Sequence, residues 1–288
     1  MQAQKSPSAI RIDYQHFEMP SVPIVLTKIL RLVDDNQASA RKLEELILHD
    51  QSLSVRILRL SNSAFYSFRS EVKTISHAVT LLGLNLVRSL AIGVSIFESF
   101  TKGLREEAAL INQLWMHSFG VGMLSQEIWS RRNPRAQGEF ALLCGLLHDL
   151  GKVVYFKKDR AGYPKLFGME KGPEDPAISD FELERYDVDH ATLGAYMTKE
   201  WRLPTELSMV VRRHHDPCGA GQPLVAAVAL SDMLVKQAGI GYDGDKKVTA
   251  DITELQLLLG MKQEELDQLS AFTDAKRADI EDFFKLSI

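Results

Sequence analysis

A chain of 288 residues, 45% hydrophobic and 25% charged, can bury one large core or two modest ones, and that composition excludes large-scale disorder. A formal net charge of -4 argues against a broad basic surface for nucleic acid, and no run approaches the ~18 uninterrupted apolar residues of a membrane span. Cys144 and Cys218 are the only cysteines and stand in no paired spacing, which excludes a disulfide framework or thiolate zinc site; with no apolar leader in MQAQKSPSAIRIDYQ, a cytoplasmic location is expected.

Apolar residues recur every three or four positions and strict period-two alternation is nearly absent, so an all-α fold is expected. Residues 1–17 read as an extension. The stretch Leu43–Leu60 predicts helix with a break near Asp50. Two more helices are predicted over Ile75–Leu82 and Leu84–Phe97, with Gly83 as the cap between them. Together these form a first helical lobe over residues 18–105. The polar segment Thr101–Glu107 leads to a second lobe over residues 106–240, with helices near 109–130, 139–157, 180–201, 205–215 and 222–238. Asn133-Pro134, Gly172-Pro173, Leu203-Pro204 and Asp216-Pro217 mark breaks within it. Gly239–Lys247 (GIGYDGDKK) is a loop, and residues 241–288 supply a polar helical tail around the apolar run Leu255–Leu259.

Five apolar stripes each carry an ionisable residue. His117 shares a face with Leu110, Leu114, Val121 and Leu124; Asp149, beside His148, shares one with Leu142 and Leu146; His190 stands among Leu183, Tyr186, Leu193 and Met197. Leu207, Val210 and Val211 lead into His214 and His215, while Val225, Val228, Ala229 and Val235 surround Asp232. One such histidine is more often a satisfied core residue than a ligand. Five helices delivering these types together point to a single inward cluster, because an unpaired carboxylate in an apolar core is costly.

The adjacent pair His148-Asp149 is central to that cluster. Helix neighbours diverge by about 100°, yet a metal seated between them is within reach of both. Gly145, four residues before Asp149, leaves room beside the carboxylate. Nitrogen and oxygen donors without sulfur suit one or two divalent ions of iron, manganese, zinc or nickel, which can hold a phosphate and lower the pKa of a water.

In chain order, His117, His148-Asp149 within GLLHDLGK, His190 within DHATLGAYMTKEW, His214-His215 and Asp232 within ALSDML resemble the HD superfamily of metal-dependent phosphohydrolases. Upstream, MPSVPIVLTKILRLVDD, LEELILHDQSLSVRILRLSNSAFYS and ISHAVTLLGLNLVRSLAIG resemble the HDOD domain, the HD-related output domain of bacterial signalling proteins; the resemblance covers about residues 18–240. It implies a two-lobed helical architecture. It also implies that His117, His148, Asp149, His190, His214, His215 and Asp232 are metal ligands, with Asp149 and Lys152 carrying any catalysis. Many HDOD proteins resemble HD enzymes whose ligands have been replaced, whereas every alignable position here carries a competent donor. Gln51 stands where the family usually has proline, a change of little expected consequence.

Other features divide between functional and bland readings. Lys152, three residues after Asp149, either binds phosphate or donates a proton, or is a solvated lysine near a helix end. Gly162-Tyr163-Pro164 matches the signature of the HD-GYP cyclic-di-GMP phosphodiesterases, but it precedes His190 instead of following the paired histidines, so it reads as a surface turn and supports no such assignment. Asn62-Ser63-Ala64 reads as capping and turn chemistry. Arg56, Arg59, Arg88, Arg212 and Arg213 read first as solvated faces, and Trp115, Trp129 and Trp201 as core.

The first expectation is therefore a signalling module that keeps its metal cluster for structure or sensing. The second is a working phosphohydrolase acting on a nucleotide or related phosphate ester. The HDOD-like lobe favours the first and the complete ligand set the second. No receiver, kinase or DNA-binding module is evident, so the expected partner is a separate signalling protein or a phosphorylated small molecule.

Overall fold

The computed structural model describes residues 24–30, 36–63, 66, 68, 70–133, 138–169, 175–217, 221–245 and 251–285. The extension over 1–17 lies outside them, as do Ala64, Pro134, Gly172-Pro173, Cys218-Gly219 and the end of the 239–247 loop. The first five helices are α1 (Ile24–Leu30), α2 (Asn36–Leu48), α3 (Gln51–Ser61), α4 (Ile75–Leu82) and α5 (Leu84–Thr101). The expected break near Asp50 is a helix start: the Asp50 carboxylate accepts the Leu53 N–H at 3.1 Å and caps α3. Gln51 is then the first helical residue, the position where proline is tolerated because its missing N–H is not needed. A proline there would fit the same backbone. Gly83 ends α4 and begins α5 at φ 87°, a conformation that only glycine adopts freely. Asn62 closes α3 and holds Val72 by two hydrogen bonds, donating to its carbonyl at 2.8 Å and accepting from its N–H at 2.7 Å.

The remainder comprises α6 (Ala108–Arg132), α7 (Glu139–Leu147), α8 (Leu150–Lys158), a short α9 (Tyr163–Phe167), α10 (Ile178–Tyr186), α11 (His190–Glu200), α12 (Thr205–Arg213), α13 (Pro223–Gln237), α14 (Ile252–Leu259) and α15 (Gln263–Lys285). There is no strand among the described residues. The long α6 is the axis, packed on by α7, α13 and α15, while α5 lies against α7 and α8. One continuous apolar core runs from Leu26 through the middle of the chain to Phe284, so the first helices, the central bundle and the tail share an interior.

Two predicted helices are each divided in the structure. The helix expected over 139–157 breaks at His148-Asp149, where Asp149 leaves helical geometry at φ -98° and ψ 15°. The one expected over 180–201 breaks at 187–189: Asp187 is left-handed at φ 61°, and Asp189 caps α11 by accepting the Thr192 N–H at 2.6 Å. Apolar periodicity runs through both breaks and hides them. Leu183 is consequently not part of the His190 surroundings; it is 46% exposed, and the buried residue of its turn is Glu182.

Gly145 serves a different purpose from the one expected. A Cβ there would lie 2.6 Å from the Gly122 Cα and 2.8 Å from the Val121 carbonyl carbon, so its missing side chain lets the backbones of α6 and α7 touch. Gly145→Ala should force these helices apart and destabilise the protein by about 1–3 kcal/mol. Urea denaturation reads this directly; a midpoint equal to that of the parent would show that the crossing has slack.

Candidate metal centre

Each break and helix end delivers a polar side chain to one interior place. His117 comes from the middle of α6, His148 and Asp149 from the junction of α7 and α8, and Lys152 from the first turn of α8. His190 is the first residue of α11, His214 and His215 follow the last turn of α12, and Asp232 lies within α13. His117, His148, Asp149, Lys152, His190, His214 and Asp232 are at most 7% exposed, and His215 is half-buried.

The histidines are oriented by what their Nδ1 atoms meet. His148 Nδ1 lies 2.7 Å from the Gly145 carbonyl and His214 Nδ1 lies 2.8 Å from the Val211 carbonyl. A carbonyl only accepts, so both Nδ1 atoms carry a proton and each Nε2 is turned inward. Burial lowers the His148 pKa, but the Asp149 carboxylate beside it outweighs this and raises it. His190 Nδ1 is held at 2.6 Å by the buried Glu182, whose same oxygen also accepts the His190 backbone N–H at 2.8 Å. Tyr163 donates to the other Glu182 oxygen at 2.7 Å.

Of the inward-facing atoms, His190 Nε2 and His215 Nε2 meet each other at 2.8 Å, while others lack a hydrogen bond. His214 Nε2, Asp149 Oδ1, Asp232 Oδ1 and both ring nitrogens of His117 are buried without a hydrogen bond. His117 Nε2 does lie 2.9 Å from Asp232 Oδ1, but off the line of a hydrogen bond. Each buried polar atom left this way costs about 1–3 kcal/mol, a penalty that a bound cation removes.

The spacing suits such an ion. Donors bound to one metal at ~2.0–2.2 Å stand about 3–4 Å apart. Here His190 Nε2 and His214 Nε2 lie 3.2 and 3.6 Å from Asp149 Oδ1, and His148 Nε2 lies 3.3 Å from Asp149 Oδ2 and 3.9 Å from Asp232 Oδ1. Four overlapping triplets among the described residues bring donor atoms within 4.8 Å of one another: His117–His148–Asp232, His148–Asp149–His214, His190–His214–His215 and His117–Asp149–Asp243. The overlap gives room for one ion or two.

The outer carboxylate oxygens face two lysines. Asp149 Oδ2 accepts from Lys152 Nζ at 2.7 Å, and Asp232 Oδ2 accepts from Lys236 Nζ at 2.9 Å. Asp243 Oδ2 joins them, 2.9 Å from Lys152 and 3.1 Å from Lys236. Lys152 is fully buried, which removes the solvated reading. Three carboxylates, those of Asp149, Asp232 and Asp243, thus share two ammonium groups, while Glu182 faces the His190 ring.

Burial alone would raise the Asp149 and Asp232 carboxyls, but His148 and Lys152 beside the first and Lys236 and His117 beside the second hold both well below the usual carboxylate range. Burial lowers His214 to about 4, and burial with His214 and His190 nearby also holds His215 well below the usual histidine range. His190 goes the other way: burial lowers it, but Glu182 outweighs this and raises it to about 9. At neutral pH His214 and His215 are therefore neutral donors, while His190 holds a second proton.

The seven residues that the sequence suggested as ligands are brought together, with Lys152 beside them. Sequence reasoning missed Glu182, Lys236 and Asp243. Lys236 was findable, standing four residues after Asp232 on one helical face. Glu182 and Asp243 lie beyond a helix break and in a glycine-rich loop, where periodicity says nothing. The Gly162-Tyr163-Pro164 stretch is not a surface turn: it starts α9, and Tyr163 is fully buried. Among the arginines, Arg56 pairs with Glu98, Arg88 donates to Asn85 at 3.0 Å and Arg213 pairs with Asp216 at 2.7 Å.

Comparison with known proteins places this arrangement. The profile of the HDOD domain matches residues 19–217. An HDOD domain protein of unknown function from Geobacter sulfurreducens superposes with a TM-score of 0.69 at 22% identity, covering 93% of both chains. A protein named "Putative phosphohydrolase" from Shewanella amazonensis SB2B gives a TM-score of 0.69 at 24% identity over 93% of this chain and 94% of that one. A "Putative signal transduction protein" from Marinobacter aquaeolei VT8 gives 0.72 at 18% identity, over 93% of this chain and 59% of that one. An uncharacterized protein of Treponema pallidum (strain Nichols) is 27% identical over 244 residues, and the match covers 82% of this chain but only 46% of that relative's length. The matched family segment ends before Asp232, Lys236 and Asp243.

Metal uptake should expel the second proton of His190, because a ligating nitrogen must be bare. Titrating metal-free protein with Zn2+ or Mn2+ near pH 7.5, in buffers of different ionisation enthalpy, should show release of about one proton or more per chain. Release should fall as pH rises past 9, where His190 is already neutral. Uptake with no proton release would show that His190 is not a ligand.

Proposed function

Because the chain belongs to the HDOD domain family, we propose that it is a bacterial signalling protein that has kept a working HD-type metal centre and uses it for structure or sensing. The observation that carries this is the set of buried donor atoms without a hydrogen bond on His117, Asp149, His214 and Asp232, residues that belong to overlapping groups of closely spaced donors. His117, His148, Asp149, His190, His214, His215 and Asp232 hold one or two ions of iron, manganese, zinc or nickel. An ion there supplies Lewis-acid chemistry to a phosphate oxygen and lowers the pKa of a water.

The protein's own residues define what that centre can do. Glu182 fixes the His190 ring, the carbonyls of Gly145 and Val211 fix His148 and His214, and Lys152 keeps Asp149 ionised. Burial of nearly every donor favours sensing over turnover, since a substrate needs a path to the metal. The packing of α5 on α7 and α8 supports the same reading, because it ties the first helices to the elements that carry His148, Asp149 and Lys152. The partner is a separate signalling protein or a phosphorylated small molecule, met in the cytoplasm; no described helix is long and apolar enough to cross a membrane. One observation favours a second reading, a divalent-metal-dependent phosphohydrolase acting on a nucleotide or related ester: the ligand set is complete and Lys152 stands beside it.

Elemental analysis of tag-free protein purified without chelator should find one or two equivalents of transition metal per chain. Asp149→Ala should lose most of it while its far-UV circular dichroism stays helical; unchanged metal content would sink the assignment. Fully metallated wild type, inert toward a panel of nucleotides and phosphate esters, supports the sensing reading. Turnover that Asp149→Ala abolishes supports the second.

A further inference from the structure

Asp243 differs from the other acids of the cluster. Asp149 and Asp232 sit on or between helices and each has its own lysine three or four residues on. Asp243 belongs to the loop after α13 and presents one oxygen to both lysines, at 2.9 and 3.1 Å. It is 1% exposed.

The loop is seated with care. Gly241, at φ 65°, passes so close to α6 that a Cβ would lie 2.4 Å from the His117 nitrogen. The Tyr242 N–H donates to the Gln113 carbonyl at 3.1 Å, and Asp245 accepts the Ile178 N–H at 3.0 Å. Asp243 is thereby set beside the donor cluster, with a carboxylate oxygen within 4.8 Å of donor atoms of both His117 and Asp149.

Two ammonium groups converging on one oxygen beside a cation-binding cluster make an oxyanion seat. Nothing about the seat is specific to a carboxylate: a phosphoryl oxygen meets the same two donors, and a phosphate brings more charge and more acceptor oxygens. Lys152 and Lys236 keep Asp149 and Asp232 as partners when Asp243 is absent, so the seat persists without it. We propose that Lys152 and Lys236 form the seat for a phosphoryl group and that Asp243 fills it in place of the ligand, so a phosphorylated ligand enters only by displacing this carboxylate. The inference rests on the reading of the site as a phosphate-handling centre, and it assigns Asp243 the role of an internal competitor.

The test is calorimetric titration of inorganic phosphate into the full chain, in chloride buffer, as wild type, Asp243→Ala and Asp243→Asn. Asp243→Ala should bind phosphate at least about tenfold more tightly than wild type, with Asp243→Asn between them, since the amide removes the charge but still fills space. Adding Lys236→Gln to Asp243→Ala should erase the gain. Should Asp243→Ala fail to fold, Asp243→Asn, which keeps the shape, decides alone. Phosphate binding no tighter than wild type in the folded variants overturns the proposal. Repeating the titration after chelation separates it from the metal reading: a gain that survives in protein shown to bind no metal upholds the seat and sinks only the metal centre. Full metal content with no gain sinks only the seat.

Discussion

Charges shut away from water set the terms for the rest of this molecule. Asp149, Lys152, Asp243, Lys236 and Asp232 alternate in sign along a buried chain of contacts between 2.7 and 3.1 Å. An isolated charge in such a place costs several kcal/mol, so each helix must arrive with its compensation in hand. Two helices do so with a lysine of their own: Lys152 follows Asp149 by three residues and Lys236 follows Asp232 by four, which places carboxylate and ammonium on one face. Paired in this way, α8 and α13 can line the same interior without repelling each other. The pairing also decides which carboxylate oxygens are spoken for, and it leaves Oδ1 of each acid turned toward the imidazoles.

The histidines answer to a second layer of constraint. Backbone carbonyls orient His148 and His214 at no cost in sequence, since any helix offers carbonyls at its end. His190 needs more, because the start of a helix leaves N–H groups rather than carbonyls unpaired. Glu182 takes that place, and Tyr163 steadies it from the other side. The result is a line of hydrogen bonds from the aromatic packing around Tyr155, Tyr163 and Tyr186 to the rim of the candidate metal centre.

Much of this was legible in the sequence. The all-α class, the Asp50 and Gly83 boundaries and the seven inward donors all follow from periodicity joined to residue chemistry. What escaped has a common cause. Periodicity registers the phase of apolar residues and is blind to a turn that preserves that phase, so His148-Asp149 and residues 187–189 read as mid-helix when they are junctions. Glu182 was hidden behind the second junction, its neighbour Leu183 taking its place in the pattern. Asp243 lay in GIGYDGDKK, where three positive-φ glycines make the path of the chain a matter of tertiary contact. Acids there look like any solvated loop.

The Gly122–Gly145 crossing acts as a gauge. Where side chains separate two helices, rotamer changes let the gap widen or narrow by fractions of an ångström. Where backbone meets backbone there is nothing to repack. His117 follows from one side of that crossing and His148 from the other, so the span between their rings, 5.4 Å from centre to centre, is cut by the main chain itself. The distance between these two imidazoles is therefore a property of the main chain, and a change of side-chain rotamer elsewhere in the core cannot reset it.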